Sequence, residues 1–205
     1  MPFFPAIYTA SFLMAFMNCL VSIALALFLT EVRQSTPFII GLAGFSGNFI
    51  YTAMTFLQSR RAFPKKLSWL IYVPAGVGLC YMGLAFVPML PLFVFLLCAG
   101  LFYAFFWPSI QYCFTGSGGE KRTGIFNLSW SAGFITGAFF AGSIYSFNAR
   151  APFILSLPVS LASMLLLIRQ KKRILSLGKP RGEQGQEKLL PDSMETVIRE
   201  VRILN

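Results

Sequence analysis

Residues 102–142, from Phe102 to Gly142, read FYAFFWPSIQYCFTGSGGEKRTGIFNLSWSAGFITGAFFAG. Two long apolar runs flank one short, charged, glycine-rich hinge. The runs hold most of the candidates for polar groups buried among apolar ones: Trp107, Gln111, Asn127, Trp130 and Thr136. The second run also carries Gly124, Gly133, Gly137 and Gly142. Runs of this length predict a transmembrane hairpin, because crossing a bilayer core of about 30 Å takes about 20 apolar residues in a helix.

Working outward, the same pattern recurs. The 205 residues are 56% hydrophobic and only 12% charged, against roughly 25% charged in soluble domains. Residues 1–168 hold ten charged side chains, all between apolar runs: Glu31, Arg33, Arg60, Arg61, Lys65, Lys66, Glu120, Lys121, Arg122 and Arg150. Six spans are predicted, at Ala6–Leu29, Phe38–Leu57, Leu67–Phe86, Leu92–Phe114, Ile125–Tyr145 and Pro152–Ile168. The expected fold is therefore all-α, a polytopic membrane protein with a six-helix bundle over 1–168. A basic and polar tail follows over 169–205, with a short helix near its end. The first run lacks a positive start and is too long for a signal peptide, so it reads as a retained span.

Loop charge predicts orientation. Arg60, Arg61, Lys65, Lys66, Lys121, Arg122, Arg169, Lys171, Lys172 and Arg173 lie on one side, and Arg33 and Arg150 on the other. Positive charge stays in the cytoplasm, so both termini are expected there, in a plasma (inner) membrane protein. The same rule accounts for the net charge of +10, so no nucleic-acid partner is expected. The expected partners are the lipid bilayer and a small solute.

Several chemistries are excluded by composition. There is no histidine, which removes His-ligated zinc and the Ser-His-Asp and Cys-His nucleophile systems. Cys19, Cys80, Cys98 and Cys113 all sit inside apolar runs and read as small buried hydrophobes. No cofactor, metal site or enzymatic activity is expected. None of the six spans carries Asp, Glu, Lys or Arg. Such residues mark ion pathways, and their absence favours a neutral or amphipathic solute.

The remaining polar residues are the site candidates. Asn18 falls at the middle of the first span. Trp107 and Gln111 share one face of the fourth, and Asn127 and Trp130 one face of the fifth. The hairpin is expected to gather these four into an aromatic–amide cluster, serving either as a cavity lining or as an interhelical clamp. Gly133 and Gly137 form a GxxxG pair, with Gly124, Ala138, Ala141 and Gly142 extending it. Small side chains let helix backbones approach closely in lipid, so the stripe reads as packing, and as a seam along which two halves could rock.

Six spans, short loops and a cytoplasmic tail resemble the N-terminal half of a major facilitator superfamily transporter, whose halves are 3+3 helix bundles. The most specific local match is that family's fifth-span antiporter motif, G-x8-G-x3-G-P-x2-G-G. Gly124, Gly133, Gly137 and Gly142 match it, while Ala138 and Ala141 replace its proline and next glycine. The second-to-third-loop motif survives only as charge, in Arg60, Arg61, Lys65 and Lys66, and the fourth-span arginine is absent. The resemblance implies secondary transport by alternating access. A second six-span half, or a second copy of the chain, is then expected as partner. A non-transporting scaffold or an inactive truncated remnant is the alternative.

Overall fold

The structure, a computed structural model, describes residues 3–60, 69–114 and 119–177. The short helix expected near Asp192 lies outside the described residues, as do Arg61, Lys65 and Lys66. The elements are α1 (Phe3–Leu27), a π-helical turn (Phe28–Val32), α2 (Pro37–Arg60), α3 (Trp69–Leu84), α4 (Met89–Tyr112), α5 (Gly119–Phe147), α6 (Ala151–Arg169) and α7 (Lys171–Leu177). An apolar run in lipid must satisfy its backbone internally, and a helix does so residue by residue. Proline marks three of the starts. Pro37 opens α2, Pro152 sits in the first turn of α6, and Pro88 is the extended residue before α4. Each takes a place where its missing N–H leaves no helical bond unmade.

Four of these segments are long and apolar enough to cross a membrane: Phe4–Val32, Pro37–Gln58, Met89–Tyr112 and Ala151–Arg169. The described part of α3 has 16 residues, and serine, glycine and Asn127 dilute the apolar character of α5. The α5 helix also starts earlier than expected. Glu120, Lys121 and Arg122 belong to its first turns and not to a loop, where Glu120 complements the positive end of the helix.

Packing departs from sequence order. The α1 helix lies between α5 and α6, α3 lies between α6 and α4, and α2 packs on α4. The α4 and α5 helices, adjacent in sequence, scarcely touch as helices, so the opening hairpin is not a packed pair. Matching α1, α2 and α3 in order to α4, α5 and α6 accounts for these contacts. The pair α1/α5 then maps onto α4/α2, α1/α6 onto α4/α3, and α3/α6 onto itself. A 3+3 repeat follows from this pairing.

Glycines set the closest contacts of both repeats. A Cβ on Gly133 would strike the carbonyl oxygen of Phe12, and one on Gly137 that of Phe16, both on α1. At the equivalent crossing, a Cβ on Gly100 of α4 would strike the carbonyl oxygen of Gly47 on α2. Gly124 and Gly142 have nothing within 4 Å of such an atom, so they do not extend the tight seam. The reason is angular. Phe126, Gly133, Gly137, Ala141 and Tyr145 share the buried face of α5. At 3.6 residues per turn Gly124 and Gly142 fall on its far side.

The Gly100 crossing yields a first prediction. Gly100→Ala should lower stability by about 1–3 kcal/mol through overpacking. Gly44→Ala, with nothing within 4 Å, should leave it unchanged. Melting points of the two variants in detergent check this, and equal melting points would refute the α2–α4 contact.

Candidate functional site

Polar side chains in an apolar span need partners, and most find them locally. Thr9, Ser11, Ser22, Thr30, Asn48, Thr55 and Thr136 each donate to the carbonyl four residues earlier. Such back-bonding removes a hydroxyl from ligand chemistry. The informative bonds are those between helices.

Asn18 makes one of these. Tyr81 of α3 donates its hydroxyl to Asn18 Oδ1 at 2.7 Å. Tyr103 of α4 donates to the Met14 carbonyl of α1 at 3.3 Å. The rings of Tyr81 and Tyr103 lie 6.2 Å apart, and Tyr103 stacks on Trp107 at 6.0 Å. Tyr81 and Tyr103 are buried, whereas Asn18 is half-buried. Asn18 Nδ2 makes no bond among the described residues. One side of this amide is therefore fixed by a buried phenol, and the other remains available.

A column of rings runs from this cluster toward the N-terminal end of α1. Trp107 meets Phe126 of α5 edge-on at 6.2 Å, Phe126 meets Phe114 at 5.3 Å, and Phe114 meets Tyr8 at 5.6 Å. Arg122 closes the column with its guanidinium 4.2 Å from the Phe4 ring centroid. Offset and edge-on ring pairs add to simple burial. The column ties α4 to α1 and α5, which α4 scarcely touches as a helix.

The four-residue cluster expected across the hairpin does not form. Trp107 reaches Phe126 and not Asn127. Gln111 and Asn127 are exposed, and Trp130 is 39% exposed and tilts against Phe134 of its own helix. The glycine seam explains this too. Turning Gly133 and Gly137 toward α1 brings Phe126, seven residues before Gly133, into the interior. Asn127 then sits about 100° away around the helix. Asn18 and Trp107 are thus linked through Tyr81 and Tyr103, a connection absent from the expected cluster. The signal for Tyr81 was its hydroxyl, since a buried tyrosine O–H needs an acceptor and Asn18 is a span residue that offers one.

At the opposite end, two arginines hold the α3–α4 turn. Arg33 donates through Nη2 to the Val87 carbonyl at 2.7 Å, and Arg150 lies 5.9 Å over the Phe86 ring. Among the described residues, no group of three His, Cys, Asp or Glu could hold a metal ion.

Comparison with protein families finds a match to the model described as Major Facilitator Superfamily over residues 7–204. Comparisons with curated proteins and with solved structures find no match. Members of that family are membrane transporters, not enzymes. A 3+3 arrangement of apolar helices is the architecture of one half of such a transporter. With the match spanning nearly its whole length, this chain belongs to the major facilitator superfamily.

Proposed function

We propose that the chain acts as a six-span half of a secondary transporter that moves a small, uncharged or amphipathic solute past Asn18. The observation that carries this reading is the Asn18 amide itself. It lies near the middle of α1, is held on one side by Tyr81 at 2.7 Å, and keeps two donors unused on the other. Transporter sites lie near the bilayer midplane, and a carboxamide stripped of water gains from any solute that supplies an acceptor. The shortage of charge supports an uncharged cargo. Among the described residues, the midsections of α1 to α6 carry no Asp, Glu, Lys or Arg, so these helices offer proton coupling no such group at mid-depth.

In this reading α3 and α5 also span the membrane, making six crossings with both termini in the cytoplasm. A second half, contributed by another segment or by a second copy, completes twelve spans and rocks against this one. Crosslinking in native membranes tests the partner, and a species that stays monomeric counts against it. Liposomes containing the protein test the activity. Uptake of at least one neutral solute from a panel is expected, with Trp107 fluorescence responding to it. Uptake that depends steeply on a pH gradient would overturn the uncharged reading, and no uptake or fluorescence response to any solute would favour a scaffold.

A further inference from the structure

The α5 and α6 helices are joined by the short turn at Asn148–Arg150, yet they pack little on each other. Each is held elsewhere. Gly133 and Gly137 seat α5 on α1. Ser156 donates to the Gly78 carbonyl of α3 at 3.2 Å, and Ser163 to the Ala10 carbonyl of α1 at 3.3 Å, which fixes α6. A wedge therefore opens between α5 and α6 near their turn. It is an open groove of about 500 Å³, lined mainly by Ile144, Phe147, Ile154 and Leu155, with Ser143 and Asn148 as its polar members. Phe147 is 91% exposed there.

The charge around the wedge is simple. Between Arg122 and Arg169 the sole charged side chain is Arg150. It is exposed and stands at the turn where the wedge begins. No carboxylate among the described residues pairs with it. Asn148 accepts from the Arg150 backbone N–H through Oδ1 at 2.8 Å, which leaves its Nδ2 as a donor at the same level. The wedge thus has an apolar body with the Asn148 amide in its lining, and Arg150, two residues on, stands beside it with its guanidinium 5.9 Å over the Phe86 ring.

We propose that this wedge is a phospholipid site, with one acyl chain lying between α5 and α6 and the phosphate resting on Asn148 and on an Arg150 side chain turned from Phe86 toward the wedge. The polarity of the wedge is that of an amphiphile. An acyl chain restores the dispersion contacts an empty groove forfeits. A guanidinium at a helix end reaches the headgroup level and pairs with phosphate through charge-assisted bonds. A second protein helix in the same place would cover Arg150 without neutralising it, unless it brought its own carboxylate. The site is independent of solute transport and stands or falls separately.

Native mass spectrometry of the full chain in detergent, with added dioleoylphosphatidylglycerol, tests the proposal. The protein should retain one such lipid, and should retain dioleoylglycerol, which has the same chains but no phosphate, far less. Arg150→Gln should weaken retention roughly fivefold, and Arg150→Lys should restore most of it. Filling the wedge from either wall, with Ser143→Trp or Ala151→Trp, should abolish retention. Leu79→Trp, on an exposed part of α3, should not change it. Equal retention of the diacylglycerol, or no effect of Arg150→Gln, would overturn the phosphate assignment. Retention by both wedge-filling variants would overturn the site. A protein partner released by Ser143→Trp would make the wedge a protein interface and overturn the lipid reading.

Discussion

Leucine at Gly137 is expected to destabilise the protein by about 3 kcal/mol or more, and leucine at Gly142 by less than about 0.5 kcal/mol. The two positions are five residues apart on one helix and belong to one apparent stripe of small residues. At Gly137 a Cβ would run into the Phe16 carbonyl oxygen and come within 3.1 Å of the Cys19 Cβ. The obstacle is backbone, so a rotamer change cannot relieve it. The α5 helix would have to leave α1, the helix at the centre of the α1/α5 and α1/α6 contacts. Leucine at Gly133 meets the Phe12 carbonyl in the same way. At Gly142 there is nothing within 4 Å, and a leucine there gains lipid or partner contact at no steric cost. Unfolding midpoints in detergent decide the matter. Similar losses at Gly137 and Gly142 would mean that α5 is not seated on α1 through this face.

The second expected result concerns the amide. Asn18→Ala should cost about 1–2 kcal/mol and sharply lower solute uptake. The stability loss arises on α3 and not on α1. Tyr81 is only 6% exposed, so removing its acceptor strands a hydroxyl in an apolar interior. Tyr81→Phe should cost less, because it removes the buried donor and leaves a half-buried amide that other groups can reach. Combining the two changes should cost less than their sum, with a coupling of about 1 kcal/mol. Tyr81→Phe should nonetheless reduce uptake, since Tyr81 holds Asn18 in place. Simple additivity in the double variant would show that the 2.7 Å bond does not couple the two residues.

The positions of most helices were legible from the run lengths. The expected first span, Ala6–Leu29, lies inside α1 and its π-helical turn, and the expected Pro152–Ile168 lies inside α6. Less was legible about faces. Residues Gly124 to Gly142 read as one continuous seam, but the helical period divides them between two sides of α5. Gly100, Gly47 and Gly78 gave no motif in the sequence, yet Gly100 and Gly78 permit contacts as close as those at Gly133. Asn18 stood out because an amide is conspicuous among apolar residues. Tyr81 did not, because a tyrosine is ordinary in such a run until its partner is known. Trp107 and Asn127 looked like neighbours across a hairpin, but α4 and α5 pack on other partners.

Composition and periodicity alone determined that this chain is helical and built for a bilayer. The cause is local, because a backbone without water must bond to itself, and an apolar run of sufficient length leaves the helix as its solution. Which faces meet was decided only by the tertiary structure. Lipid is as apolar as leucine, so no hydrophobic gradient tells a span which neighbour to choose, and the choice falls to steric fit and to a few interhelical hydrogen bonds. Gly133 under Phe12, Gly100 under Gly47 and Tyr81 on Asn18 are matches of shape and donor between residues distant in sequence. No pattern along one helix contains them.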